Sequence, residues 1–296
     1  MRAKIGIRAD EVRFEHVLFV EGDEDSFDIK VLSELLTDSQ VIIRYLRTSS
    51  SIKSASDALI EHNPRYYFLV DRDQDRYSKE EIEKYWEDFS RHERWNFLVW
   101  RRREIENYFL EARYLCQSDY CCVEQSELEE KILRAAGERL LFDVANYVVT
   151  SLREELKTTG IENFSRLEDF STKASALQEL KSVQEALERH CSSILKVASY
   201  EAVERRFLER LDIMTGGSDE LAFGCGDWIN MIKGKKVLNK VIHSECFRVP
   251  SLDGGSVEGS DKLYEVARNI LRKDYQPKDF LALKCLIKAR IRNSAR

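Results

Sequence analysis

Four short apolar runs, each ending beside charged residues, constrain this chain more than any other feature. HVLFV (16–20), VIIRYL (41–46), YYFLV (66–70) and NFLVW (96–100) are shorter than buried helices. HVLFV is continuously apolar, as expected of a strand covered on both sides, and the other three runs read as further strands. Between them lies helical periodicity. In GDEDSFDIKVLSELL, residues Phe27, Val31, Leu32, Leu35 and Leu36 recur three and four apart behind an acidic first turn. A Ser-rich opening leads into a helix near 52–62, Asn63-Pro64 breaks the chain before the third run, and a charged helix lies around 78–91. Alternation of this kind predicts β-α-β units and a parallel sheet flanked by helices, an α/β fold.

The pattern then changes. From about 113 to 222 apolar residues recur only at helical spacing, as in SALQELKSVQEALERH (175–190) and YEAVERRFLERL (200–211). MTGGSDE (214–220) is a breaker, PSLDGGSVEGS (250–260) a Gly/Ser-rich loop, and Pro277 opens the last helix. The expected organisation is an α/β core over 1–112, a large all-helical insertion over 113–222 for oligomerisation or substrate binding, and a helical C-terminal segment over 223–296 that returns to the core. The amphipathic faces of the middle region predict a homodimer.

With 43% hydrophobic and 34% charged residues among 296, and only 3 Pro, the chain can build a real core. No apolar run reaches the roughly 18 residues of a membrane span, and the first sixteen residues lack the apolar stretch of a secretory signal, so the chain reads as cytoplasmic with no membrane partner. The seven cysteines (116, 121, 122, 191, 225, 246, 285) form no CxxC pair and read as reduced thiols. The five histidines are scattered. Trp86, Trp95, Trp100 and Trp228 could stack on bases, although such residues more often belong to a core. The net charge is −6, but residues 268–296 hold nine Lys/Arg against two Asp. That basic tail fits either phosphate tracking or, more commonly, the solvated face of a terminal helix.

The chemistry lies where acids meet strand ends, because ligands of open α/β sheets bind beyond the carboxyl ends of the strands. Glu21 directly follows the first run and Asp71 the third. In a 2-1-3-4 strand order they share one crevice. Alternation sends Asp71 and Asp73 to the same side, and Asp25 lies one helical turn past Glu21. Glu104 and Glu106 follow the fourth run. One such acid alone commonly caps the next helix, but three strand ends contributing acids to one edge imply a divalent-metal site, with oxygen donors suited to Mg²⁺ or Mn²⁺. Arg101, Arg102 and Arg103 beside them either neutralise substrate phosphates or pair with the acids.

VLFVEGDEDSFDIKVLSELL, followed about fifty residues later by FLVDRDQD, resembles the TOPRIM domain, whose pattern is Glu-Gly after the first strand and DxD after the third. The resemblance implies a TOPRIM-like sheet with Glu21, Asp71 and Asp73 as metal-binding acids. Asp25 matches the further acidic position of OLD-family nucleases. REIENYFLE (103–111) resembles a signature of OLD-like TOPRIM proteins that include the AriB effectors of PARIS anti-phage systems, and IKGKKVL (232–238) is similar to their late Lys-Gly-Lys segment. IKGKK is not a P-loop, since Ile229 stands where that motif requires Gly. Together the matches cover about 110 residues and one C-terminal patch. No zinc module or topoisomerase tyrosine segment accompanies them, which leaves hydrolysis. The resemblance implies a Mg²⁺-dependent endonuclease acting as a toxic effector of anti-phage defence. RNA, tRNA included, is favoured over DNA, and an ABC-like (AriA-like) ATPase is the partner. A DNA-nicking OLD-type enzyme and a non-catalytic assembly module are the alternatives. Lys235 is the candidate for offsetting charge at the scissile phosphate, with Lys233 and Lys236 as further phosphate-binding candidates.

Overall fold

The structure, a computed structural model, describes residues 16–46, 49–59, 62–72, 77–92, 94–157, 188, 190–192, 194–196, 199–251 and 254–294. In chain order the elements are β1 (His16–Glu21), α1 (Phe27–Leu35), β2 (Val41–Leu46), α2 (Ser49–Leu59), β3 (Tyr66–Val70), α3 (Lys79–Arg91) and β4 (Phe97–Val99). A 3-10 turn (Ile105–Phe109) follows, then α4 (Ala112–Leu115), α5 (Gln125–Lys157), α6 (Tyr200–Thr215), α7 (Trp228–Met231), α8 (Gly234–Ile242), α9 (Gly259–Leu271) and α10 (Lys278–Ser294).

All four apolar runs are strands of one parallel sheet in the order β2-β1-β3-β4, as the sequence predicts for an α/β fold. Phe19 lies opposite Phe68, and Val70 opposite Val99. Glu21 is therefore level with Val70, and the chain beyond β1, β3 and β4 emerges at one edge. Leu18, Tyr67, Phe68, Leu98 and Val99 are fully buried, which accounts for the unbroken apolar runs of β1, β3 and β4, whereas the edge strand β2 is half-buried and exposes Tyr45.

Local signals start the helices. Ser26 caps α1 by accepting from Ile29 N at 3.4 Å, and the helix buries Phe27, Val31, Leu32 and Leu35. Ser78 and Glu81 close a reciprocal capping box on α3, worth about 1 kcal/mol. Arg290 of α10 ends α3: its guanidinium donates to Phe89 O at 2.9 Å and to the carbonyls of His92 and Trp95, groups a helix terminus leaves without partners.

The chain divides into two compact units, residues 1–138 with 229–296 and residues 139–228. The division falls inside α5 rather than at 113, and the chain rejoins the first unit at 229 rather than 223. Periodicity could not reveal this, because α5 reads as one helix throughout and its early residues Leu128, Ile132, Ala135 and Ala136 are buried. The helix expected over 200–211 is α6, ended by Gly216 at φ 66°. The helical reading of 175–187 lies outside the described residues. Among the described residues no helix is long and apolar enough to cross a membrane.

The basic tail is largely a structural helix. Arg268 and Arg272 reach Glu34, Lys273 pairs with Asp119, and Lys284 lies 3.7 Å from Asp38. Phe280, Leu283 and Ile287 are fully buried, with the Phe280 ring 5.0 Å from Tyr108 and 5.8 Å from Trp100. Removing the tail would therefore excise core as well as charge. Phe280→Ala is expected to lower unfolding free energy by about 3–5 kcal/mol in urea titration.

Candidate active site

Glu-Gly begins the site. Gly22 has φ 115°, and a Cβ there would sit 2.7 Å from Ser26 Oγ, so only glycine lets the chain leave β1 and reach the α1 cap so tightly. The turn holds Glu21 at the sheet edge, where its Oε1 accepts from Asp71 N at 3.2 Å. The ends of the two central strands are thus joined through a candidate acid.

Asp71 is crowded by negative charge. Desolvation, then the charges of Asp28, Glu106, Glu21 and Glu104, push its carboxyl well above the usual range. Glu106 is 3% exposed, and desolvation with the charges of Asp28 and Glu104 raises it to about 8, against the opposing charge of Lys235. Asp28, at the start of α1, is raised to about 6, chiefly by desolvation, with Glu104 adding to the rise and Lys235 opposing it. Acids from β1, α1 and the turn after β4 therefore all act on Asp71 of the β3 end, and the Lys235 charge opposes the rise at Asp28 and Glu106.

The two other sequence motifs meet. Asn107 of REIENYF is fully buried and donates to Ile229 O at 2.8 Å and Ile232 O at 2.9 Å, while its Oδ1 accepts from Glu104 N at 3.1 Å. Arg103 N donates to Asn230 O at 2.9 Å, and Lys235 N donates to Glu104 Oε2 at 2.9 Å. The Lys-Gly-Lys segment is thereby docked on the acid-bearing turn more than a hundred residues away in sequence.

Comparison with known protein families, with curated proteins and with solved structures gives no match. The chemistry of the site is therefore read from its own residues.

Glu21, Asp71, Glu104, Glu106 and Lys235 come together. Asp73 lies outside the described residues. Asp25 is exposed in the turn before Ser26, and the acid from this segment that acts on Asp71 is Asp28, which periodicity did not single out. The signal for it was present: with Ser26 as cap, the helix begins at Phe27, so Asp25 precedes the helix and Asp28 belongs to its first turn. Of the three arginines, Arg101 and Arg102 pair with acids, but with Glu83, Asp279 and Glu111 rather than Glu104 or Glu106. Arg101 grips Glu83 with two bonds (2.7 and 2.8 Å), reaches Asp279 at 3.0 Å and stacks 4.2 Å from the Trp86 ring. Arg102 binds Asn107 O and Glu111, and Arg103 donates to Met231 O at 3.1 Å. These bonds engage both the Arg101 and Arg102 guanidiniums with carboxylates of the chain itself. Lys233 is half-buried, whereas Lys235 and Lys236 are exposed. Trp86, Trp100 and Trp228 are buried, and Trp95 stacks on Tyr85, so all four serve packing. All seven cysteines are free thiols.

Among the described residues, no three His, Cys, Asp or Glu side chains form a ready-made metal cluster. The donors nevertheless fit a hard divalent cation in chemistry: they are all carboxylate oxygens, and their mutual repulsion would be relieved by positive charge.

Proposed function

We propose that the chain is a divalent-metal-dependent endonuclease with a TOPRIM-like core. The observation that carries this reading is the convergence of acids from the ends of β1, β3 and β4, with Asp28, on a half-buried Asp71 whose ionisation they oppose. Glu21 and Asp71, with Asp73 two residues on in the sequence, would hold Mg²⁺ or Mn²⁺, with Asp28, Glu104 and Glu106 as further oxygen donors. When bound, the cation supplies activation of water and charge neutralisation at the phosphodiester. Glu21 orients the Asp71 backbone, and Lys235, exposed above the acids, meets the phosphate.

RNA, with tRNA foremost, is the proposed substrate. The role as a toxic anti-phage effector working with an ABC-like ATPase is supported by the Glu-Gly, DxD, REIENYF and IKGKK resemblances together. A DNA-nicking activity uses the same acids. The deciding experiment is incubation of purified protein with total tRNA and with supercoiled plasmid in Mg²⁺ or Mn²⁺. Cleavage of tRNA alone is the expected result, plasmid nicking alone moves the assignment to DNA, and EDTA should abolish either. An assembly module would leave both substrates intact.

A homodimer is part of the proposal, supported by the second unit, where α5 exposes Leu141, Phe142 and Val149 along one stripe. Light scattering at micromolar concentration is expected to give twice the chain mass, and Phe142→Glu to halve it. A monomeric wild type would refute the dimer.

A further inference from the structure

We propose that Asn107 is a positioning residue that fixes Lys235 against the acid-bearing turn. As a role in cleavage the inference rests on the nuclease reading above, but its geometry stands independently.

Asn107 uses its amide fully. Both carbonyls it donates to, Ile229 O and Ile232 O, belong to the strand of chain leading into α8, and the N–H it accepts from belongs to Glu104. A flipped amide would set its NH₂ against the Glu104 N–H and its oxygen against two carbonyls, so the partners dictate the orientation. The side chain lies fully buried, where each lost partner would leave a polar group unsatisfied.

Gly234 completes the fit. It has ordinary backbone angles, so conformational freedom does not explain it. A Cβ there would fall 2.2 Å from Asn107 Oδ1 and 2.8 Å from Asn107 N. Glycine therefore lets the start of α8 rest directly on Asn107, and the next residue, Lys235, is delivered to Glu104 by a 2.9 Å backbone bond. The Lys235 charge then reaches Asp28 and Glu106. Arg103 reinforces the contact through Asn230 O and Met231 O. A long, exposed lysine has many rotamers, and fixing its backbone on Glu104 limits the positions its ammonium can take relative to the acids.

The test pairs two measurements. Asn107→Asp keeps the shape and the acceptor but loses both donations, and hydrogen exchange should rise at least about tenfold in 103–107 and 229–236 while β1–β4 stay protected. Gly234→Ala, which strains the same contact from the other side, is expected to give the same pattern and serves should Asn107→Asp fail to fold. Unchanged exchange in these segments overturns the inference, whatever the nuclease assays give. In cleavage, Lys235→Ala should lower kcat about 10²-fold in the native background but less than about threefold when Asn107→Asp is already present. A full 10²-fold loss in both backgrounds would show that Asn107 does not position Lys235. Raised exchange in the variants, with a wild type that cuts nothing, would uphold the clip and refute the nuclease reading instead.

Discussion

Asp71→Ala is expected to reduce metal-dependent cleavage by about 10³-fold or more, with Glu21→Ala close behind. A bound cation supplies several kcal/mol of transition-state stabilisation, and each 1.4 kcal/mol or so is tenfold in rate, so losing the central ligand forfeits about three orders of magnitude. Glu21 carries a second cost, because its Oε1 also holds the Asp71 backbone N–H at 3.2 Å. The ranking within the cluster is the sharper expectation. Asp28→Asn should reduce cleavage more than Asp25→Asn, because Asp28 acts on Asp71 whereas Asp25 is exposed before the helix begins. Single-turnover rates for the four variants, normalised to folded protein, give the order. Equal rates for Asp71→Ala and wild type would refute a metal nuclease and return the acids to helix capping.

β1 and β3 were legible because burial on both faces leaves a plain trace, an unbroken apolar run followed by an acid, whereas the edge strand β2 is only half-buried and carries Arg44. Glu21, Asp71, Glu104 and Glu106 were legible for the same reason, since they sit where those runs end. What sequence could not give was partner choice. Arg101, Arg102 and Arg103 look like a phosphate site in sequence, but Glu83, Asp279 and Glu111, up to 178 residues away, bind the first two, and Arg103 reaches the Met231 carbonyl. Asn107 carried no charge to draw notice, and its importance depends on carbonyls 122 and 125 residues away. The domain boundary was hidden because a helix passing from one unit to the next keeps its period.

The same crowding predicts that the metal-free protein is least stable where it is most ready to bind a cation. Glu106 is raised to about 8 and Asp71 well above its usual range, so between about pH 5 and pH 8 these two carboxyls hold more protons in the folded chain than in the unfolded one. Their contribution to stability is fully present below about pH 4 and is lost as pH rises through the folded values. Urea titration without divalent metal should therefore show unfolding free energy falling by on the order of 2 kcal/mol across that window. His16, whose imidazole burial holds below its ordinary value, works the other way, because its contribution is lost as pH falls. A Glu106→Gln comparison separates the two, since it removes one carboxylate from the cluster and leaves His16 untouched. That variant should be more stable than wild type at pH 8 by about 1–3 kcal/mol, nearly equal to it at pH 5, and slower in cleavage. Millimolar Mg²⁺ or Mn²⁺ should stabilise wild type at pH 8 and hardly at pH 5, since cation and protons compete for the same oxygens. If Glu106→Gln is no more stable than wild type at pH 8, and divalent metal shifts neither, the acids do not repel one another in solution. In that case the fold carries no latent cation site at this edge, because a site built for a divalent ion must store like-charge repulsion until the ion relieves it.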